Sequence, residues 1–293
     1  KLRSFGRGDR EKAAVEAHQA PTAKQDRIAA GKAAHDLGQG EGVRVRLQMS
    51  KTGADAMASH LDLVRKIPRV FRRAGIRIFY TEGYHPKPAL TFSPALALGV
   101  QSVGELIEVK LIERPDPAEL LRRLNAVAEP GIEFTAARVV EDGEKRMTAL
   151  LQRADYLVRL RGFEDDPEAI RGVLQRFHAS DTLPVTIQRK KGEKSLDLKQ
   201  VVARLEPAGD DDVSTLPPAL TAGLGPYPIA LALRLDGPGQ VKPEEALRAV
   251  FGADFRLPPV DLVRTGFWRL EGEEPRPPLE ASRRSEAVAA TGS

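Results

Sequence analysis

Five residues within eight positions, Tyr80, Glu82, Tyr84, His85 and Lys87, combine side-chain types that bind and process anionic ligands. Tyr can stack on a base, His can donate to a phosphate or move a proton, Glu can orient an Arg or the His, and Lys supplies a point charge. Pro86 and Pro88 stiffen the chain and Gly83 permits positive φ, so the segment reads as a rigid turn that holds those groups in place. Just upstream, Asp62, Arg65, Lys66, Arg69, Arg72 and Arg73 recur at three- and four-residue spacing, which on a helix gathers them into a cationic ridge. Residues 58–90 hold seven Lys or Arg against two Asp or Glu, a net +5, whereas the whole chain balances 45 against 41 for +4. Positive charge is concentrated in this stretch, where it would attract phosphates. The plainer readings are a solvated helix face and a well-built proline turn.

Weaker signals surround these. His60, at the helix start, is an acid–base candidate by residue type, although a capping or packing role is the commoner use of such a residue. Ser102 and Glu105 fall in a small-residue turn before a strand, from which Glu105 is expected to close on the ridge. His60, Glu82 and His85 count to three metal ligands, but the 25-residue gap fits no local metal motif, and no metal is expected. Arg189, Lys190, Lys191 and Lys194 mark a basic hairpin tip that offers a second phosphate contact. Residues 223–226, Gly-Leu-Gly-Pro, lack the Walker lysine and read as a turn.

The elements that must position these residues follow from periodicity. At 293 residues the chain has room for two domains, and 41% apolar with 29% charged residues is enough for a buried core. Residues 43–49 alternate as a half-buried strand; Ser59 caps a helix whose inward face is Leu61, Val64, Ile67, Val70, Phe71 and Ala74, ending before Gly75. Pro68 predicts a kink there, or two short helices. Extended pieces at 76–80 and 90–92, a strand at 105–112, a helix at 117–128 and a strand at 132–140 complete a βαββαβ order.

After a helical connector at 145–153, a strand at 156–161, a helix at 167–177 and a hairpin of 185–190 with 195–205 begin a comparable order. Strand 229–235, helix 243–251 and strand 262–270 finish it. The reading is α+β, two tandem ferredoxin-like domains at 42–141 and 142–271, between disordered tails at 1–41 and 272–293.

No cysteine occurs in the 293 residues, which excludes disulfides, thiolate zinc sites and cysteine-ligated iron–sulfur clusters within them and fits a reducing cytoplasm. No run of 18 apolar residues exists and no apolar stretch follows Lys1, so neither a membrane span nor a signal peptide is expected. The missing initiator Met leaves a processing point or a fragment edge open.

The runs S-H-L-D-L-x-R, R-x-x-R-R-A-G-I, Y-T-E-G-Y-H-P-K-P and A-L-x-L-G-V-x-S-x-G-E, between positions 59 and 105, resemble the radical SAM-linked domain family of uncharacterised function. K-G-E-K-S-L-D-L-K at 191–199 resembles its second-half signature, and the likeness spans roughly 43–270, with Pro68 as a departure. Members of that family occur fused to, or encoded beside, radical S-adenosylmethionine proteins with a cobalamin-binding domain.

The resemblance implies a partner, in cis or trans, that holds the 4Fe-4S cluster, S-adenosylmethionine and cobalamin, with no cofactor in this chain. This chain would then be a non-catalytic module that recognises substrate, with tRNA or rRNA expected from the ridge and turn. One alternative is a metal-independent RNA endonuclease with His60 or His85 as base and Arg65 or Lys87 on the phosphate. The other is a protein-docking adaptor without RNA contact.

Overall fold

The computed structural model describes residues 39–82, 84–190, 192–272 and 274–280. Gly83, Lys191, Glu273 and most of the two expected tails, 1–38 and 281–293, lie outside the described residues. In the first half, strand β1 (Val43–Lys51) leads through a 3-10 turn to helix α1 (His60–Arg73). Then come β2 (Leu90–Phe92), β3 (Gln101–Leu111), α2 (Pro117–Asn125) and β4 (Ile132–Val139). The second half begins with β5 (Arg153–Val158), α3 (Pro167–Ala179), β6 (Pro184–Arg189), β7 (Gly192–Asp197) and β8 (Val202–Pro207). Short helices α4 (Asp210–Ser214) and α5 (Pro218–Gly223) precede β9 (Ile229–Arg234), α6 (Pro243–Phe251), β10 (Leu262–Glu271) and β11 (Glu274–Arg276).

The fold is mixed α+β, built on one nine-stranded sheet among the described residues. Its order is β4-β1-β3-β10-β5-β9-β8, with β2 on β3 and β11 on β10, while β6 and β7 form a separate hairpin. Within each half the strands that pair do so antiparallel, in the orders β4-β1-β3-β2 and β10-β5-β9-β8.

Alternation explains the first core. Val45, Leu47 and Met49 of β1 point to one face, where Leu63, Ile67, Val70 and Phe71 of α1 and Leu120 and Leu124 of α2 cover them. A second core packs β5 and β9 against α3 and α6, and Leu216, Leu220 and Leu224 around α5 cover the opposite face at Leu157 and Ala230.

The halves join by a parallel pairing, Val263 opposite Gln101 and Arg264 opposite Ser102. Gly104 makes that approach possible: a Cβ there would come within 2.4 Å of the Thr265 carbonyl oxygen.

Several expectations need correcting. Helix α1 is one element that continues through Pro68 and is not split into two short helices. Proline has no N–H to offer the Val64 carbonyl, and both residues lie where the helix borders an open groove and water can take the bond. Leu61 and Val64, assigned to the inward face, are 64% and 41% exposed, and Leu63 is buried instead. The strand expected at 156–161 occupies 153–158, and the 145–153 connector contains only a 3-10 turn at Met147–Ala149. The expected hairpin of 185–190 with 195–205 is β6 with β7, and a 3-10 turn at Leu198–Gln200 diverts the chain so that β8 joins the main sheet. The start of the expected C-terminal tail is ordered: β11 pairs with β10, and the Pro278 carbonyl accepts a bond from buried Arg46 at 3.3 Å. Among the described residues, no helix is long and apolar enough to cross a membrane.

Candidate functional site

Helix α1 is held at both ends by local chemistry. The Asp62 carboxylate accepts from the Ser59 hydroxyl at 2.7 Å and the Ser59 N–H at 2.9 Å, while the Ser59 oxygen accepts from the Asp62 N–H at 3.2 Å. Those hydrogen bonds lower the Asp62 pKa below the ordinary carboxylate range. At the other end Gly75 adopts φ +69°, and the Ile76 N–H reaches back to the Phe71 carbonyl at 2.9 Å.

The two flanks of α1 differ. On one, Lys66 bridges Asp55 and Glu129, and Arg73 donates to the Val127 carbonyl at 2.8 Å. Partial burial opposes the charge on Lys66, but its hydrogen bonds to Asp55 and Glu129 outweigh that and raise its pKa.

On the other flank His60, Val64 and Pro68, four residues apart, border a groove of about 510 Å³ whose far wall includes Lys87, Pro88, Leu90 and Phe92. The His60 ring meets Phe92 edge-on at 5.4 Å. Arg65 and Arg72 lie roughly 40–60° further round the helix from Pro68, outside the residues that line the groove. Arg65, Arg69 and Arg72 are exposed and form no salt bridge among the described residues.

The turn opposite is closed at its base. Tyr80 bridges to Pro88, the Thr81 N–H donates to the Lys87 carbonyl at 2.8 Å, and the Lys87 N–H donates to the Thr81 hydroxyl at 3.1 Å. Gln39 adds two bonds to the Tyr80 backbone, accepting at 2.7 Å and donating at 3.1 Å. Tyr84 and His85 sit exposed beyond this closure, in edge-on contact at 4.8 Å, and Glu82 is exposed beside them. Residues 87–91 are also the wall of a second open cavity of about 880 Å³, bounded by β1 and residues 140–146. Its charges are largely matched: Arg44 with Glu108 at 3.4 Å, Arg114 with Glu141 at 3.0 Å, and the Lys110 ammonium over the Phe79 ring at 4.0 Å.

The structure therefore brings His60 and Lys87 to one groove, and Arg65 and Arg72 are on the helix surface next round from its lining. It places Tyr84, His85 and Glu82 at a separate exposed tip, and it gives Asp62, Lys66 and Arg73 to structural contacts. Among the described residues no three His, Asp or Glu side chains are grouped to hold a metal ion, so His60, Glu82 and His85 are not gathered.

Glu105 does not close on the ridge. Ser102 and Glu105 lie inside β3, and both Glu105 oxygens accept from Arg264, at 2.8 and 2.6 Å. The Pro94 carbonyl takes a further Arg264 bond at 2.9 Å, and the Ser102 hydroxyl donates to the Arg264 carbonyl at 3.1 Å. Burial lowers the pKa of neighbouring Lys51, partly offset by the Glu105 carboxylate. The basic hairpin tip is tied down too: Arg189 pairs with Glu245 at 2.6 Å, and Lys194 donates to the Pro238 carbonyl at 2.5 Å.

Sequence reasoning missed Val64, Pro68 and Phe92 as site residues. A usable signal existed: His60, Val64 and Pro68 form a line at four-residue spacing, which places them on one helix flank.

Residues 44–226 match a family model described as an uncharacterized protein conserved in bacteria, DUF2344. That description states no activity, substrate or partner. No curated protein matches the chain.

Proposed function

The chain belongs to the DUF2344 family, and from that premise we propose that it is a non-catalytic module that recognises RNA, such as tRNA or rRNA, for a cobalamin-dependent radical SAM enzyme. One observation carries the RNA part: Arg65, Arg69 and Arg72 stand exposed, with no salt bridge among the described residues, on the helix that forms one wall of a groove whose opposite wall presents Lys87. Unpaired guanidinium groups in water keep their hydrogen-bonding capacity for phosphate. The exposed Tyr84 and His85, at the tip of the turn opposite, offer rings on which bases can stack.

The division of labour rests on the likeness of residues 59–105 to radical SAM-linked domains. It agrees with a 293-residue chain that has no cysteine for a cluster, so the partner, in cis or trans, would hold the 4Fe-4S centre, S-adenosylmethionine and cobalamin. The halves are read as tandem ferredoxin-like units, a reading supported by their matching strand orders.

The test is tRNA binding as a function of salt by the R65A/R69A/R72A variant. Affinity is expected to fall at least tenfold, and the log–log salt slope to flatten by about two to three. Equal affinity and slope in variant and parent would reject the reading. Cleavage of the RNA in EDTA would replace it with the endonuclease alternative.

A further inference from the structure

We infer that the groove between α1 and residues 87–95 seats a single unpaired nucleobase, with its flanking phosphates on the cationic rim; this rests on the RNA reading above. The two walls are apolar and open to solvent, Val64 and Pro68 on the helix side and Pro88, Leu90 and Phe92 on the other. A helix flank built only to meet water would not leave Val64 41% exposed opposite Leu90 and Phe92. The volume of about 510 Å³ is in the range of pockets that take small planar ligands.

Polarity then selects the occupant. The groove is apolar and aromatic at its walls, has the His60 ring and the Thr91 and Ser93 side chains as polar groups, and carries Lys87 on one side, while on the helix side the exposed Arg65 and Arg72 come next round α1 from Pro68. A nucleotide has the matching order, a flat base with polar edges between two phosphates. A base held in a duplex cannot reach such a groove, because its faces are stacked and its edge is paired. The preferred RNA is therefore one with a loop, bulge or single strand.

The full chain is titrated with three fluorescent RNAs: a single strand, the same strand with one abasic site, and a duplex. The parent is expected to bind the single strand about tenfold more tightly than the abasic or duplex forms. F92A is expected to lose about tenfold on the single strand with an unchanged salt slope, and to lose little on the other two. Phe92 also contacts the first core, so V64N, at an exposed position, provides a second variant, with a several-fold loss confined to the single strand. Equal effects of these variants on all three RNAs overturn the groove assignment while R65A/R69A/R72A still reports on the ridge. A parent that binds none of the RNAs overturns the RNA reading itself. A benzophenone amino acid in place of Val64 is expected to crosslink the single strand. Crosslinks instead to residues 1–38 of the same chain, to a second copy or to a partner protein in the presence of RNA give the groove to that occupant and overturn the assignment.

Discussion

The ridge of α1 and the junction between β3 and β10 use the same side-chain types, yet they treat them in opposite ways. At the junction Arg264 is 2% exposed, and its donors are taken by both oxygens of Glu105 and by the Pro94 carbonyl. On the ridge Arg65, Arg69 and Arg72 are exposed, with no salt bridge among the described residues. A buried charge without partners costs several kcal/mol, so the junction must be closed before the protein is stable. A charge in water carries no such demand and stays available to a ligand. Exposure and pairing, more than residue type, separate the interior network from the candidate binding surface.

The sharpest way to break the contrast is at the junction. R264M strands the Glu105 carboxylate in the interior, and a loss of about 3–5 kcal/mol of unfolding free energy is expected in urea titrations. E105Q/R264M should recover part of that loss, since it removes the orphaned charge. If the double variant were no more stable than the single one, pairing would not be what holds the junction.

A smaller effect is expected at Glu144, in the segment that covers Arg46. Hydrogen bonds from Arg138 at 2.6 and 2.8 Å, aided by the Glu141 N–H and the Arg46 charge, lower its pKa from the ordinary 4.5 to about 2. A depressed carboxylate stabilises the fold fully above its unfolded pKa and loses that contribution as pH falls through the folded value. The stabilisation should therefore fade between about pH 5 and pH 2. E144Q should cost on the order of 2 kcal/mol near pH 7 and show a flatter acid limb. Parallel stability–pH curves for parent and variant would contradict this.

Next in size is S59A, which removes one side of the capping box and should cost about 1 kcal/mol with RNA affinity reduced only slightly. The smallest stability effect is expected for R65A/R69A/R72A, within about 0.5 kcal/mol of the parent in thermal or urea unfolding, although it should have the largest effect on RNA binding. A large destabilisation would move the ridge into the same class as the junction.

Much of the fold was legible because it is encoded by near neighbours. The alternation at 43–49, the Ser59 cap with Asp62 three residues on, the stop at Gly75 and the helix begun by Pro117 all depend on contacts a few residues apart. The groove was only half legible. His60 and Lys87 stood out by type, but Val64 was assigned inward, since a helical stripe broad enough to include both Leu63 and Val64 does not reveal which edge the sheet will cover. Phe92 gave no signal, because an aromatic in a short strand is ordinarily core.

By itself, then, the sequence determined the order of helices and strands in the first half, the Ser59 cap, and the concentration of positive charge at 58–90, because each is a local property of the chain. Only the tertiary structure decided which charges are buried. Glu105 meets a guanidinium 159 residues away, and Lys66 finds carboxylates on two other segments, while Arg65, Arg69 and Arg72 form no salt bridge among the described residues. Those outcomes depend on which distant strands pair and where a helix docks. Burial is a property of that assembly, and the same guanidinium group is a structural bolt or an open ligand contact according to whether water still reaches it.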